Sequence, residues 1–123
     1  AKNGVLHDCD FARNNDIPVI PSEAEYKQLE RDLELVRETG CSYHACHLST
    51  KEAINLIREA KKEGLPVSCE VTPHHILLSC SDITRKDANF KMNPPLRGAA
   101  DREAIQFLEE HYWSARGAAS DLY

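Results

Sequence analysis

The sequence predicts an α/β protein with parallel strands, on two observations. An amphipathic helix lies between Ser22 and Gly40, and a strand, helix, strand unit runs from Cys41 to Thr72. In the first, Ser22 follows Pro21 and precedes Glu25 by three positions, a capping-box signature, and Leu29, Leu33 and Val36 then recur at helical spacing until Gly40 stops the run. Cys41 to His47 (CSYHACH) is short and partly apolar. Gly40 bounds it on one side and Ser49 with Thr50 on the other, so it reads as a buried strand. Ser49 with Glu52 makes a second capping box. Ala53, Ile54, Ile57 and Ala60 share a face behind it, Lys61 and Lys62 suit the carboxyl end, and Gly64 closes the helix.

Pro66 to Thr72 (PVSCEVT) is β-branched and follows directly, which predicts a second strand. Strands joined through one helix pair in parallel with a right-handed crossover. Ser79 to Asn89 is polar and reads as loop or short helix, Phe90 to Met92 as a brief strand, and Pro94 with Pro95 as a break. Ala100 to His111 reads as a helix with Ile105 and Leu108 inward and Asp101 and Glu103 near its start. Tyr112 to Tyr123 has no clear periodicity, and no internal repeat occurs.

The 123 residues fit one domain, with 41% hydrophobic and 28% charged residues. No segment approaches the roughly 20 apolar residues of a membrane span, and Ala1 to Asp10 lack a secretory signal's apolar stretch, so a cytoplasmic location is expected. Five cysteines without a CxxC pair predict reduced thiols. The net charge of -5 is spread along helices with no basic block, which argues against nucleic acid.

In parallel α/β folds active sites gather at the carboxyl ends of strands. His47 ends the first strand there, a place for a metal ligand or acid-base group, though also for a satisfied structural histidine. His74 and His75 follow the second strand; on extended backbone they point oppositely, so at most one faces the site, and both are equally suited to bonding backbone and shaping the loop. By the same alternation His44 faces away from His47 and is read as structural. Cys46 and Glu70 lie in strands, as accessory ligands or as a packed thiol and an ion-paired carboxylate. Asn93 and Arg97 lie in a proline-stiffened polar run, KMNPPLR, whose arginine suits a bidentate carboxylate.

The run YHACHLSTKEAINLIREAKKEGLPVSCEVTPHHILLS (Tyr43 to Ser79), then NFKMNPPLR (Asn89 to Arg97), closely resembles the dihydroorotases of the longer bacterial class and the animal multifunctional protein. IPSEAEYKQLERDLELVRETG (Ile20 to Gly40) extends the likeness, which spans roughly Gly4 to Leu108. The resemblance implies a zinc-dependent amidohydrolase of pyrimidine biosynthesis that interconverts N-carbamoyl-L-aspartate and L-dihydroorotate. It also implies a TIM-type (β/α) barrel, here partial and too short to close. His47 maps onto a zinc ligand, Asn93 onto a substrate contact, and Asp121 falls about where the acid-base aspartate belongs, although AASDLY lacks that motif's following residues. The remaining ligands would lie before Ala1, so activity of this chain alone is not expected.

An open partial barrel exposes sheet edges, which predicts self-association or pairing with a partner chain. Two other readings remain open: a non-catalytic assembly module, or a related hydantoinase or allantoinase.

Overall fold

The computed structural model describes residues 3–116, with side chains described through residue 110. Parallel strand pairs and the helices between them dominate. β1 (Leu6–His7), α1 (Asp10–Asn14) and β2 (Val19–Ile20) open the chain, and β1 pairs with β2 in parallel, Leu6 opposite Val19. Gly4 is needed beside this pair, because a Cβ there would come within 2.6 Å of the Val19 carbonyl oxygen. These elements are too short to leave a periodic signature in the sequence.

α2 (Glu23–Thr39) buries Leu29, Leu33 and Val36 as their spacing predicts, and ends where Gly40 adopts φ 68°. The expected Ser22–Glu25 capping box does not form. Ser22 is already helical (φ -60°, ψ -32°) and makes no side-chain cap bond, while the Glu25 carboxylate turns away to other partners.

β3 (Tyr43–Ala45) pairs in parallel with β4 (Val67–Cys69), with Tyr43 opposite Val67, His44 opposite Ser68 and Ala45 opposite Cys69. α3 (Lys51–Lys62) connects them, burying Ala53, Ile54, Ile57 and Ala60. Its cap is Thr50 rather than Ser49: the Thr50 hydroxyl accepts from the Ala53 amide at 3.2 Å, and Ser49 is taken up by Glu25. Both strands are shorter than expected. The β4 ladder stops at Cys69, and Thr72 precedes a short helix, α4 (Pro73–Leu77), with proline in its first turn.

After α4 come two single turns of 3-10 helix, Cys80–Asp82 and Ala88–Phe90. No strand forms at Phe90–Met92. The Asp87 carboxylate instead accepts from the Asn89 amide and tightens the chain into a turn. α5 (Ala99–Arg116) opens where Asp101 accepts from the amides of Gly98 and Lys51, tying its start to that of α3, and Ile105 and Leu108 point inward.

The larger core lies between α2, α3, α5 and one face of β3 and β4; a smaller one joins Leu6, Ala12, Ile83 and Leu96. Among the described residues the strands form two separate two-stranded sheets, and neither closes. No helix there is long and apolar enough to cross a membrane.

Candidate functional site

The parallel pair β3/β4 sends its carboxyl ends to one side of the molecule. Strand alternation turns Ala45, Val67 and Cys69 into the core and leaves His44, Cys46, Ser68 and Glu70 on the opposite face. Beyond the last ladder pair the Glu70 amide donates to the Ala45 carbonyl and the Leu48 amide to that of Glu70, each at 3.0 Å, so the two chain ends stay in register.

His47 sits at φ 54°. A non-glycine residue in the left-handed region costs about 1 kcal/mol and persists only where its surroundings fix it. Here the turn brings Nδ1 of His47 to 2.7 Å from Oε1 of Glu70. Oε2 of the same carboxylate lies 3.5 Å from Nε2 of His44, and Nδ1 of His44 is 2.7 Å from the Ser68 hydroxyl. His44 was expected to face away from His47. The left-handed turn breaks the alternation on which that expectation rested, and both rings meet one carboxylate. His44, Cys46 and Glu70 each offer a ligand atom, all within 4.8 Å of one another.

His75 is buried on α4, with Nε2 3.0 Å from the Pro94 carbonyl and Nδ1 2.6 Å from the Thr72 hydroxyl. A carbonyl only accepts, so Nε2 carries the proton and Nδ1 accepts from Thr72. Burial pushes the His75 pKa down, partly opposed by that carbonyl. The ring of His74 rests against it, centroids 4.7 Å apart. The two histidines were expected on extended backbone; they sit instead in one helical turn, because Pro73 is well suited to start a helix.

Asn93 is exposed and lines an open cleft of about 460 Å³ with Lys91, Gly4, Val5 and Ile20. Arg97 is buried. Its guanidinium donates to the Ser49 hydroxyl at 3.0 Å and to the Ile20 carbonyl at 2.7 Å, and lies 3.9 Å from Glu25. The carboxylate it meets is therefore an internal one. The Asn93–Arg97 loop is pinned at one end by His75 and at the other by Arg97, and Ser49, two residues beyond His47, shares that second anchor. Asp121 lies outside the described residues.

Sequence reasoning missed His44 and Glu25. A signal for His44 existed in its same-face spacing with Cys46, opposite Glu70 on the paired strand. The local pattern assigns Glu25 to Ser22, whereas its partners are more than twenty positions away.

No family model matches the chain. The chain is 56% identical over 102 residues to the dihydroorotase of Geobacillus thermodenitrificans (strain NG80-2), a match covering 83% of this chain and 24% of that protein. It thus spans about a quarter of the length of the curated relatives it matches. Among solved structures it is similar to D-hydantoinase from Bacillus sp. AR9, with a TM-score of 0.65 and 30% identity, covering 69% of this chain and 19% of the other. It is also similar to the inactive dihydroorotase-like domain of the Chaetomium thermophilum CAD-like multifunctional protein, with a TM-score of 0.53 and 30% identity over 68% of this chain and 22% of the other.

Proposed function

The chain is homologous over most of its length to a segment of the dihydroorotases, and from that premise we propose that it supplies part of the active site of a dihydroorotase-type cyclic amidohydrolase. The reaction is the reversible opening of L-dihydroorotate to N-carbamoyl-L-aspartate in pyrimidine biosynthesis, on a small-molecule substrate in the cytoplasm. β3 and β4 are then neighbouring strands of a TIM-type (β/α) barrel that this chain, as a single partial barrel domain spanning residues 1–123, does not close by itself.

The observation that carries this reading is His47, held in a left-handed turn at the ends of two parallel strands with Nδ1 on the Glu70 carboxylate. That arrangement fits a metal ligand, since ligating histidines usually give their second nitrogen to a carboxylate or carbonyl, which fixes the tautomer and leaves the first nitrogen for the ion. His47 would hold zinc together with residues from other segments. The ion would polarise the substrate carbonyl and lower the pKa of water. Glu70 keeps the His47 proton on Nδ1. Asn93 contacts substrate at the edge of its cleft, and Arg97 and His75 hold the loop that presents it. Cys46 lies beside Glu70, His74 packs against His75, and Asp121 is proposed as the acid-base aspartate.

The test is a graft in which residues 4–108 replace the matching quarter of the Geobacillus thermodenitrificans dihydroorotase. The graft should hydrolyse dihydroorotate, and His47→Ala should remove turnover. A folded graft that hydrolyses hydantoin and not dihydroorotate would move the substrate to the hydantoinase class, a reading supported by the likeness to the Bacillus enzyme. The likeness to an inactive domain supports a non-catalytic module instead. That reading expects neither turnover nor zinc, and co-purification with a carbamoyl-transfer enzyme.

A further inference from the structure

The smaller core brings together two cysteines, far apart in sequence, that the proposed reaction does not use. We propose that Cys9 and Cys80 form a redox pair, which closes to an intramolecular disulfide by exchange with an oxidised small-molecule disulfide and so fastens the β1–α1–β2 unit to the loop that carries Asn93 and Arg97. The pair stands whether or not the chain takes part in dihydroorotate chemistry.

The fold builds the contact. Cys9 follows β1 and sits on extended backbone (φ -135°, ψ 168°) at the N-cap of α1, and Cys80 opens the 3-10 turn Cys80–Asp82 behind a Ser79 cap. Both pack against the core of Leu6, Ala12, Ile83 and Leu96, and their side chains are in hydrogen-bond contact with each other. The backbone keeps them there. The Cys80 amide donates to the Arg97 carbonyl at 2.7 Å, the Cys9 carbonyl accepts from the Arg13 amide at 3.0 Å, and the Asp82 carboxylate accepts from the Ser79 amide at 2.8 Å. Each thiol is half-buried, open enough for a small oxidant to reach, whereas Cys41 and Cys46 are exposed and Cys69 is buried in the larger core.

Burial, with the neighbouring Cys9 thiol adding to it, pushes Cys80 up to about 11, which makes it a poor first nucleophile. Cys9 as thiolate therefore attacks one sulfur of the small disulfide, forming a mixed disulfide and expelling one small thiolate, which takes up the proton that Cys9 lost. The Cys80 sulfur then attacks the Cys9 sulfur, and the second small thiol leaves with the Cys80 proton. Two protein thiols are oxidised and one small disulfide is reduced to two thiols. The second step is fast because its reactants are already in contact. The new bond joins the start of α1 to the segment whose backbone meets Arg97. The Arg97 guanidinium also donates to the Ile20 carbonyl on β2 at 2.7 Å, so closure adds a covalent tie across a seam that hydrogen bonds already span.

The experiment incubates the 123-residue chain at low micromolar concentration with oxidised glutathione, quenches it with an alkylating agent and maps it by peptide mass spectrometry, with far-UV circular dichroism reporting the fold. A monomer with one Cys9–Cys80 linkage is expected, with Cys41 and Cys46 outside it, and dithiothreitol should reverse it. The linkage should form at least about tenfold faster in the folded chain than in denaturing urea, and the oxidised chain should unfold at higher urea than the reduced one. Cys9→Ser and Cys80→Ser should each remove both effects, and mapping of the unmodified chain needs neither variant to fold. A folded chain whose Cys9 and Cys80 both stay open to alkylation, linkage of either to Cys41 or Cys46, covalent dimers in place of the closed monomer, or equal rates with and without urea would overturn the proposal. A linkage that leaves the urea midpoint unchanged would overturn the fastening of the two segments.

Discussion

The Glu25 carboxylate on α2 accepts the backbone amide of Ser49, ahead of α3, at 2.9 Å. It also accepts from the Thr50 amide and from both hydroxyls, and the Ser49 hydroxyl in turn accepts from the buried Arg97. One side chain therefore holds the Ser49–Thr50 segment that leads into α3 and faces a buried cation. Glu25→Ala should cost about 3 kcal/mol, because it leaves Arg97 in a buried place without its counter-charge. Glu25→Gln should cost less, keeping one acceptor. Urea unfolding followed by circular dichroism measures both, and equal stability of Glu25→Ala and the unmodified chain would contradict the assignment.

That contact also shows how far the sequence can be read. The Ser-x-x-Glu pattern at Ser22 correctly announces a helix start nearby but assigns Glu25 to a local bond that it forsakes for distant ones. Helical faces were legible because burial repeats every three to four residues, as Leu29, Leu33 and Val36 do. The strand pair was legible because the helix between its members forces a parallel crossover. The left-handed turn at His47 was not, since a single φ value leaves no mark on composition, and with it went the meeting of His44 and His47 at Glu70. The strand end was the right place to look; which side chains converge there depended on that turn. Arg97 reads from sequence as a ligand for an external carboxylate, and only the position of α2 reveals an internal one.

The core should respond by position rather than by residue type. Leu33 is fully buried and Leu35, two positions along the same helix, is 50% exposed. Leu33→Ala should lose about 3 kcal/mol through lost transfer energy and the cavity left behind, and Leu35→Ala should stay within about 0.5 kcal/mol. Thermal unfolding of the two variants distinguishes them, and similar losses would show that α2 is rotated from the face described.

Burial holds both His7 and His75 below the ordinary histidine value of 6.5. As pH falls below that value the unfolded chain takes up protons before the folded one, so stability is full above it and declines toward the lower folded pKa values. The urea midpoint should fall between about pH 7.5 and about pH 5, and His75→Gln should narrow the difference. An unchanged gap would exclude His75 as a contributor.

The isolated chain should self-associate. Among the described residues, His44 and Cys46 on the face of β3/β4 away from the helices are exposed, as are Leu77, Leu78 and Phe107. Light scattering coupled to size exclusion at micromolar concentration should give a mass above that of one 13.9 kDa chain. A monodisperse monomer would count against an open partial barrel.

The most direct measurement is the zinc content of the purified graft into the Geobacillus thermodenitrificans dihydroorotase, compared between His47 and His47→Ala at equal folded yield. If this segment carries a ligand of the catalytic metal, the graft should hold near-stoichiometric zinc and turn over dihydroorotate, and the His47→Ala graft should lose both. Zinc and turnover unaffected by His47→Ala would contradict the account, leaving His47 a structural residue at the end of β3.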